Sequence, residues 1–230
     1  MNQTAGPTLQ ETLNKATPLK PVLRPIAVLS LFLSGILFFL YPALRPFSDE
    51  ATLQGAAAFA SNAWMLSHVL GIIAFLLLPL GLIGLYNTIE NNKARKVALT
   101  GVLLSYLGMG FTLPFYGAEV FALSVIGQKA LLQQSASVLE LANAIRFGPG
   151  FLMIFLGLML LALGTILIAI AIWKSQTMTK WTGMPLAVGI VLYLPQYLAS
   201  QPLRIAHGLL IAIGCIWIAV EIWKHRTYEK

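Results

Sequence analysis

Charge is what this sequence has least of. Charged residues make up 10% of its 230 residues and hydrophobic ones 58%, whereas about a quarter of a soluble domain is charged. A mean hydropathy of +0.80 excludes an ordinary water-soluble fold. Cysteine is nearly missing too. The single Cys215 rules out an intramolecular disulfide and a cysteine-based metal cluster, and leaves the redox compartment unreadable. No G-x-S-x-G, Walker A, dinucleotide or H-E-x-x-H pattern occurs, and no polar stretch is long enough to hold a soluble catalytic domain. The net charge of +7 does not point to nucleic acid, because the basic residues fall in short segments between apolar runs. The expected partner is the lipid bilayer.

In hydrocarbon every backbone polar group must be satisfied internally, so long apolar runs without period-two alternation predict helices. Six runs approach the roughly 20 residues needed to cross the hydrocarbon core. They lie near Pro25 to Pro42, Ala63 to Tyr86, Val97 to Val120, Gly148 to Trp173, Gly183 to Ala199 and Leu203 to Trp223. The expected fold is an all-α bundle of six transmembrane helices over residues 25–223. A cytoplasmic arm, 1–24, precedes it, and a cytoplasmic tail, 224–230, follows.

Basic residues set the orientation. Lys15, Lys20 and Arg24, then Lys93, Arg95 and Lys96, then Lys174 and Lys180, then Lys224, Arg226 and Lys230 all fall on one face. Arg45, Lys129, Arg146 and Arg204 fall on the other. The positive-inside rule therefore puts both termini in the cytoplasm. Trp173, Trp181, Trp223 and Tyr86 sit at expected inner ends, and Trp64, Tyr116, Tyr193 and Tyr197 near outer ones, as an interfacial aromatic belt requires. The long polar arm, with no A-x-A-like site after the first span, makes that span an uncleaved helix rather than a signal peptide.

Two outer connections are long. In the first, Ser48 reads as the N-cap of a short Ala-rich helix, with Asp49 and Glu50 favouring the positive end of its dipole. In the second, Leu131, Val138, Ala142 and Ile145 share one face of an amphipathic interfacial helix, and Pro149 suits the first turn of the span that follows. Short echoes, "LPFY" from Leu113 with "LPQY" from Leu194 and "SHVLG" from Ser67 with "AHGLL" from Ala206, hint at a duplicated hairpin that would place His68 and His207 equivalently.

Ionisable groups inside a membrane are functional candidates by default. At ~1.5 Å per residue His68 and His207 lie about 6–7 Å below the outer boundary and Glu119 at the outer edge of the core. Arg204 shares a helix face with His207. Gln196 closes the fifth span. In the third span Gly101, Ser105, Gly108, Thr112, Tyr116 and Glu119 form one stripe, small at its inner end and polar at its outer end. Gly150, Gly157 and Gly164 form a packing seam on the fourth.

These groups support three readings. In the first they bond one another and the loop backbones, fixing helix register in a structural or accessory subunit. In the second His68, Tyr116, Glu119, Gln196, Arg204 and His207 line an outward-opening pocket. It binds or moves a small molecule or lipid-like ligand, with Arg204 on an anionic head group and an outer-loop helix as lid. In the third His68, Glu119 and His207 ligate a metal, or His68 and His207 a haem, in a membrane enzyme. The sequence identifies no cofactor and no catalytic residue, and does not fix whether the protein is a transporter, an enzyme or an oligomer. Ser67 is a poor nucleophile candidate, because adjacent helical residues point about 100° apart. His225, in the basic tail, reads as solvated.

"YPALRPFSDE" from Tyr41, "SHVLG" with "LPLGLIGLY", and "FYGAEVFAL" from Phe115 together resemble uncharacterised bacterial multi-pass membrane proteins. The resemblance covers roughly Tyr41 to Gly127, and "YGAE" is its most recognisable part. It implies a bacterial cytoplasmic membrane and assigns no role to any residue.

Overall fold

A computed structural model describes residues 20–224 of the chain. The N-terminal arm before them, and the tail with His225, lie outside the described residues. The described chain is all-helical, and five of its helices are long and apolar enough to cross a membrane. These are α1 (Lys20–Leu44), α3 (Asn62–Thr88), α4 (Asn92–Leu132), α6 (Pro149–Ser175) and α8 (Gln201–Lys224). The shorter helices are α2 (Leu53–Phe59), α5 (Glu140–Phe147) and α7 (Met184–Val191), with single 3-10 turns at Ala136–Leu139 and Pro195–Leu198.

Local chemistry sets the ends. The Ser61 hydroxyl accepts from Trp64 N–H at the start of α3, and the Asn91 side chain accepts from Lys93 and Ala94 N–H at the start of α4, satisfying donors that a helix leaves open. Pro149 opens α6, and Gln176 ends it in the left-handed region at φ 58°. Gln134, at φ 50°, follows the end of α4.

Two elements depart from expectation. The run Gly183 to Ala199 is not one continuous helix. Its helix is 8 residues long, about 12 Å, because Pro195 cannot donate to the Val191 carbonyl and its ring clashes there. The chain continues through a loose turn and a 3-10 turn. The third span, conversely, does not end near Val120. It runs on to Leu132 as a helix of 41 residues, about 60 Å. Leu131 therefore belongs to α4, and the expected amphipathic helix divides into the end of α4, a 3-10 turn and α5. Ser48 caps nothing: Thr52 precedes α2, and the Ser48 hydroxyl is buried without a partner.

Helix α4 packs on α3 and α6, α1 on α3 and α8, and α7 on α6 and α8, so six elements close into a ring. The stripe on α4 meets the seam on α6. A Cβ on Gly108 would lie 2.6 Å from the Gly157 carbonyl oxygen, and one on Gly101 2.8 Å from that of Gly164. Small residues are there because the two backbones touch. At the end of the ring where α3 begins, α2 and α5 pack on the overhanging part of α4. They form a cap with its own core around Phe59, Trp64, Leu123 and Leu139.

Candidate functional site

Beneath the cap, α4 presents Glu119 on the side facing the bundle, where it is 5% exposed. Its partner is Arg146 of α5. Nε donates to Glu119 Oε1 at 2.6 Å and Nη2 to Oε2 at 2.8 Å, a two-pronged pair, while Nη1 donates to Glu50 Oε2. Glu50 in turn accepts from Arg45 Nη2 at 2.6 Å through its other oxygen. Two guanidiniums and two carboxylates thus alternate, tying the α1 end, the first cap loop, α4 and α5 together. Charge-assisted, planar pairs of this kind are among the stronger polar contacts. Arg45 also lies over the Trp64 ring at 4.4 Å and Arg146 over Phe59 at 5.2 Å. The Trp64 indole N–H donates to the Glu119 carbonyl at 2.8 Å.

Glu50 and Arg146 lie outside the long helices. Burial pushes the Glu50 carboxyl up, but Arg146 and Arg45 outweigh it and hold it below the usual carboxylate range. Burial opposes charge on Arg146, and Glu119 and Glu50 reverse that, raising it further. Glu50 therefore contributes stability in full above its unfolded pKa of about 4.3, and that contribution disappears as pH falls through the lowered folded value. The thermal midpoint of purified protein should hold between about pH 5 and 7 and fall below about pH 4. In Glu50→Gln the midpoint at pH 7 should be lower and the acid limb shallower. Superimposable acid limbs would remove Glu50 from the account.

His68 is nearly inaccessible, and its Nδ1–H donates to the Trp64 carbonyl at 2.8 Å. A carbonyl only accepts, so in the neutral ring Nε2 is the bare nitrogen. It faces Glu119 Oε2 at 3.7 Å. Ser67 donates to the same Trp64 carbonyl at 2.9 Å, which occupies its hydroxyl. Tyr116 OH lies 2.6 Å from Tyr193 OH and 3.3 Å from Tyr197 OH. Gly71 makes room for the Tyr116 ring, since a Cβ there would sit 2.8 Å from it. Trp64, Tyr116 and Tyr193 are fully buried, so they form the site's core instead of the expected interfacial belt. Trp173, Trp181 and Trp223, at the other end, are exposed.

A cavity of about 760 Å³ opens beside this cluster. His68, Tyr116, Glu119 and Arg204 line it together with Arg45, Glu50 and Arg146. Phe115, Phe147, Phe151, Ile154 and Leu194 provide apolar wall. Gln196 lines a smaller adjoining crevice that shares Tyr41, Arg45 and Arg204.

His207 is not in the cavity. Its Nε2–H donates to the Gly189 carbonyl at 2.7 Å and its ring meets Tyr193 at 5.3 Å, so it fastens α7 to α8. The proposed pocket therefore loses one of its histidines. Neither the His68, Glu119, His207 metal set nor a haem between the histidines fits. Tyr116 and Tyr193 fill the way from one imidazole to the other, and no group of three His, Cys, Asp or Glu converges among the described residues.

Arg45, Glu50 and Arg146 are site residues that nothing in the sequence singles out as such. Their signal was weak: two basic residues on the poorly basic face, opposite in sign to a glutamate that could not remain unpaired, and an acid in a loop. No family model, curated protein or solved structure matches the chain.

Proposed function

We propose that this is a ligand-binding protein of the bacterial cytoplasmic membrane, with both termini in the cytoplasm and a pocket that opens on the outer side. The chain crosses six times in this reading, the fifth crossing made by α7 and the turns around it. Lys93, Arg95, Lys96, Lys174 and Lys180 fall at the end opposite the cap, and this basic end is the cytoplasmic one.

The observation that carries the reading is the cavity itself. Four groups flagged from the sequence, His68, Tyr116, Glu119 and Arg204, line one space of about 760 Å³, within the size range of small-molecule sites. Its wall is mainly apolar with a few converging polar groups, the usual make-up of a binding pocket. Below it the ring interior is filled by Phe38, Phe75, Tyr116 and Tyr193 in edge and tilted ring contacts of 4.9–6.1 Å. That plug favours binding at one face over conduction through the bundle.

Native mass spectrometry of protein extracted in mild detergent tests the reading. Wild type should carry a small-molecule adduct of defined mass. Leu194→Trp, which fills the cavity from a half-buried position, should lose most of it at an unchanged thermal midpoint. Equal occupancy in the two proteins, or no adduct in either, returns the charged cluster to a structural role.

A further inference from the structure

We infer that the pocket's ligand is a single-chain amphiphile with one anionic head, of the fatty-acid carboxylate class, which enters sideways from the bilayer between α6 and the Pro195–Leu198 turn. The inference rests on the pocket reading above and adds the ligand's chemistry and its route.

The route comes from the broken helix. Helix α6 packs on α7, but α7 stops at Val191, and the turn beyond it packs on α8. At the level of the cavity α6 consequently has no helix on that side. Phe151 and Ile154 of α6 line one side of the space, and Leu194, Pro195 and Leu198 the other. Leu198 is 95% exposed and Phe147, at the same opening, 74%. On a bundle whose long helices turn apolar residues outward along their length, such a rim meets acyl chains.

The head site comes from the charges. Arg45, Glu50, Arg146 and Glu119 neutralise one another, and the two carboxylates are held by guanidiniums. Arg204 is different. It donates from Nε to the Ala199 carbonyl at 2.9 Å and from Nη2 to the Tyr197 carbonyl at 2.5 Å. It pairs with no carboxylate among the described residues, and Nη1 keeps its donors. Arg204 is half-buried on the cavity wall, whereas Asp49, the remaining acid there, is exposed at the rim and already accepts from Ala51 N–H. Water screens the exposed acid more than the sheltered cation. The cavity, about 760 Å³, thus keeps a positive spot beside an apolar trough.

The test uses full-length protein in phosphatidylcholine nanodiscs at pH 8, with nitroxide-labelled octadecanoic acid and the matching labelled octadecanol as probes. The motionally restricted fraction of the spin spectrum reports association. Wild type should hold the acid about tenfold more strongly than the alcohol, the scale of one hydrogen bond to a charged group. Arg204→Gln should bring the acid down to the alcohol and leave the alcohol unchanged. Equal binding of acid and alcohol by wild type overturns the anionic head, and so does a parallel loss of both in Arg204→Gln, because Arg204 would then act only by holding the turn. If Leu194→Trp keeps full acid binding, the chain lies outside the cavity and the route is wrong. Restricted alcohol that Leu194→Trp releases, with no preference for the acid, would sink this inference and leave the pocket reading standing.

Discussion

Arg146→Ala should destabilise the protein by about 3–5 kcal/mol, the scale of breaking a buried ion pair from one side. The loss has an identifiable cause. Arg146 is the only cation that touches both Glu50 and Glu119 among the described residues, so its removal leaves Glu119 beside His68 with no guanidinium, in a site 5% exposed to solvent. Arg146→Lys should recover only part, because a single ammonium cannot reproduce three donors aimed at two carboxylates. The decisive comparison is Arg146→Ala with Glu119→Gln added. Neutralising the stranded carboxylate should restore a substantial share of the loss, and the double-mutant cycle isolates the pair's coupling. Reversible unfolding in bicelles measures it. A single-mutant loss below about 1 kcal/mol would be the behaviour of a solvated surface pair, incompatible with a pair held largely away from water.

That network also marks how far the sequence could be read. The five long helices were legible because hydrocarbon as solvent demands continuous apolar runs, and the starts of α3 and α6 fell close to the Ser61 cap and to Pro149 in the first turn. The break after α7 was not legible from charge, since the run Gly183 to Ala199 is apolar overall and contains no Asp, Glu, Lys or Arg. Proline content alone could not mark it either: Pro79 and Pro114 lie inside unbroken helices, whereas Pro195 falls seven residues before Pro202, too little chain to re-form a helix between them. The overhang of α4 was hidden for a related reason. Its residues beyond Val120 are amphipathic and pack against α2 and the first 3-10 turn, so their burial depends on segments that the run itself does not contain.

The candidate site divides along the same line. Helical spacing put Tyr116 and Glu119 on the inward face of α4, and they are there. What Glu119 meets could not be derived, because its partner lies 27 residues away on a cap helix. Sequence depth matched His68 with His207, and both do bond a backbone carbonyl. Depth carries no azimuth, though, and His207 looks toward Gly189 and not toward the cavity.

The stripe on α4 gives the second large expectation, and its control lies two residues away. Gly108→Ala places a methyl 2.6 Å from the Gly157 carbonyl oxygen and 2.6 Å from the Leu161 nitrogen, backbone atoms that can yield only if α4 and α6 separate. Overpacking of this kind costs about 1–3 kcal/mol. Gly110→Ala makes the same substitution on the same helix where nothing lies within 4 Å. There, relief of glycine's backbone entropy should be neutral or stabilising by up to about 1 kcal/mol. The difference between the two variants reads the α4/α6 contact free of any general effect of alanine in a membrane helix. The consequence reaches the pocket, since α4 carries Tyr116 and Glu119 while α6 carries Phe151 and Ile154 on the cavity's wall. Gly108→Ala should therefore weaken the mass-spectrometric adduct as well as stability, while Gly110→Ala leaves both intact. Equal stabilities for the two variants would mean that the helices stand apart at Gly108, and the small-residue stripe would then need a cause other than backbone contact.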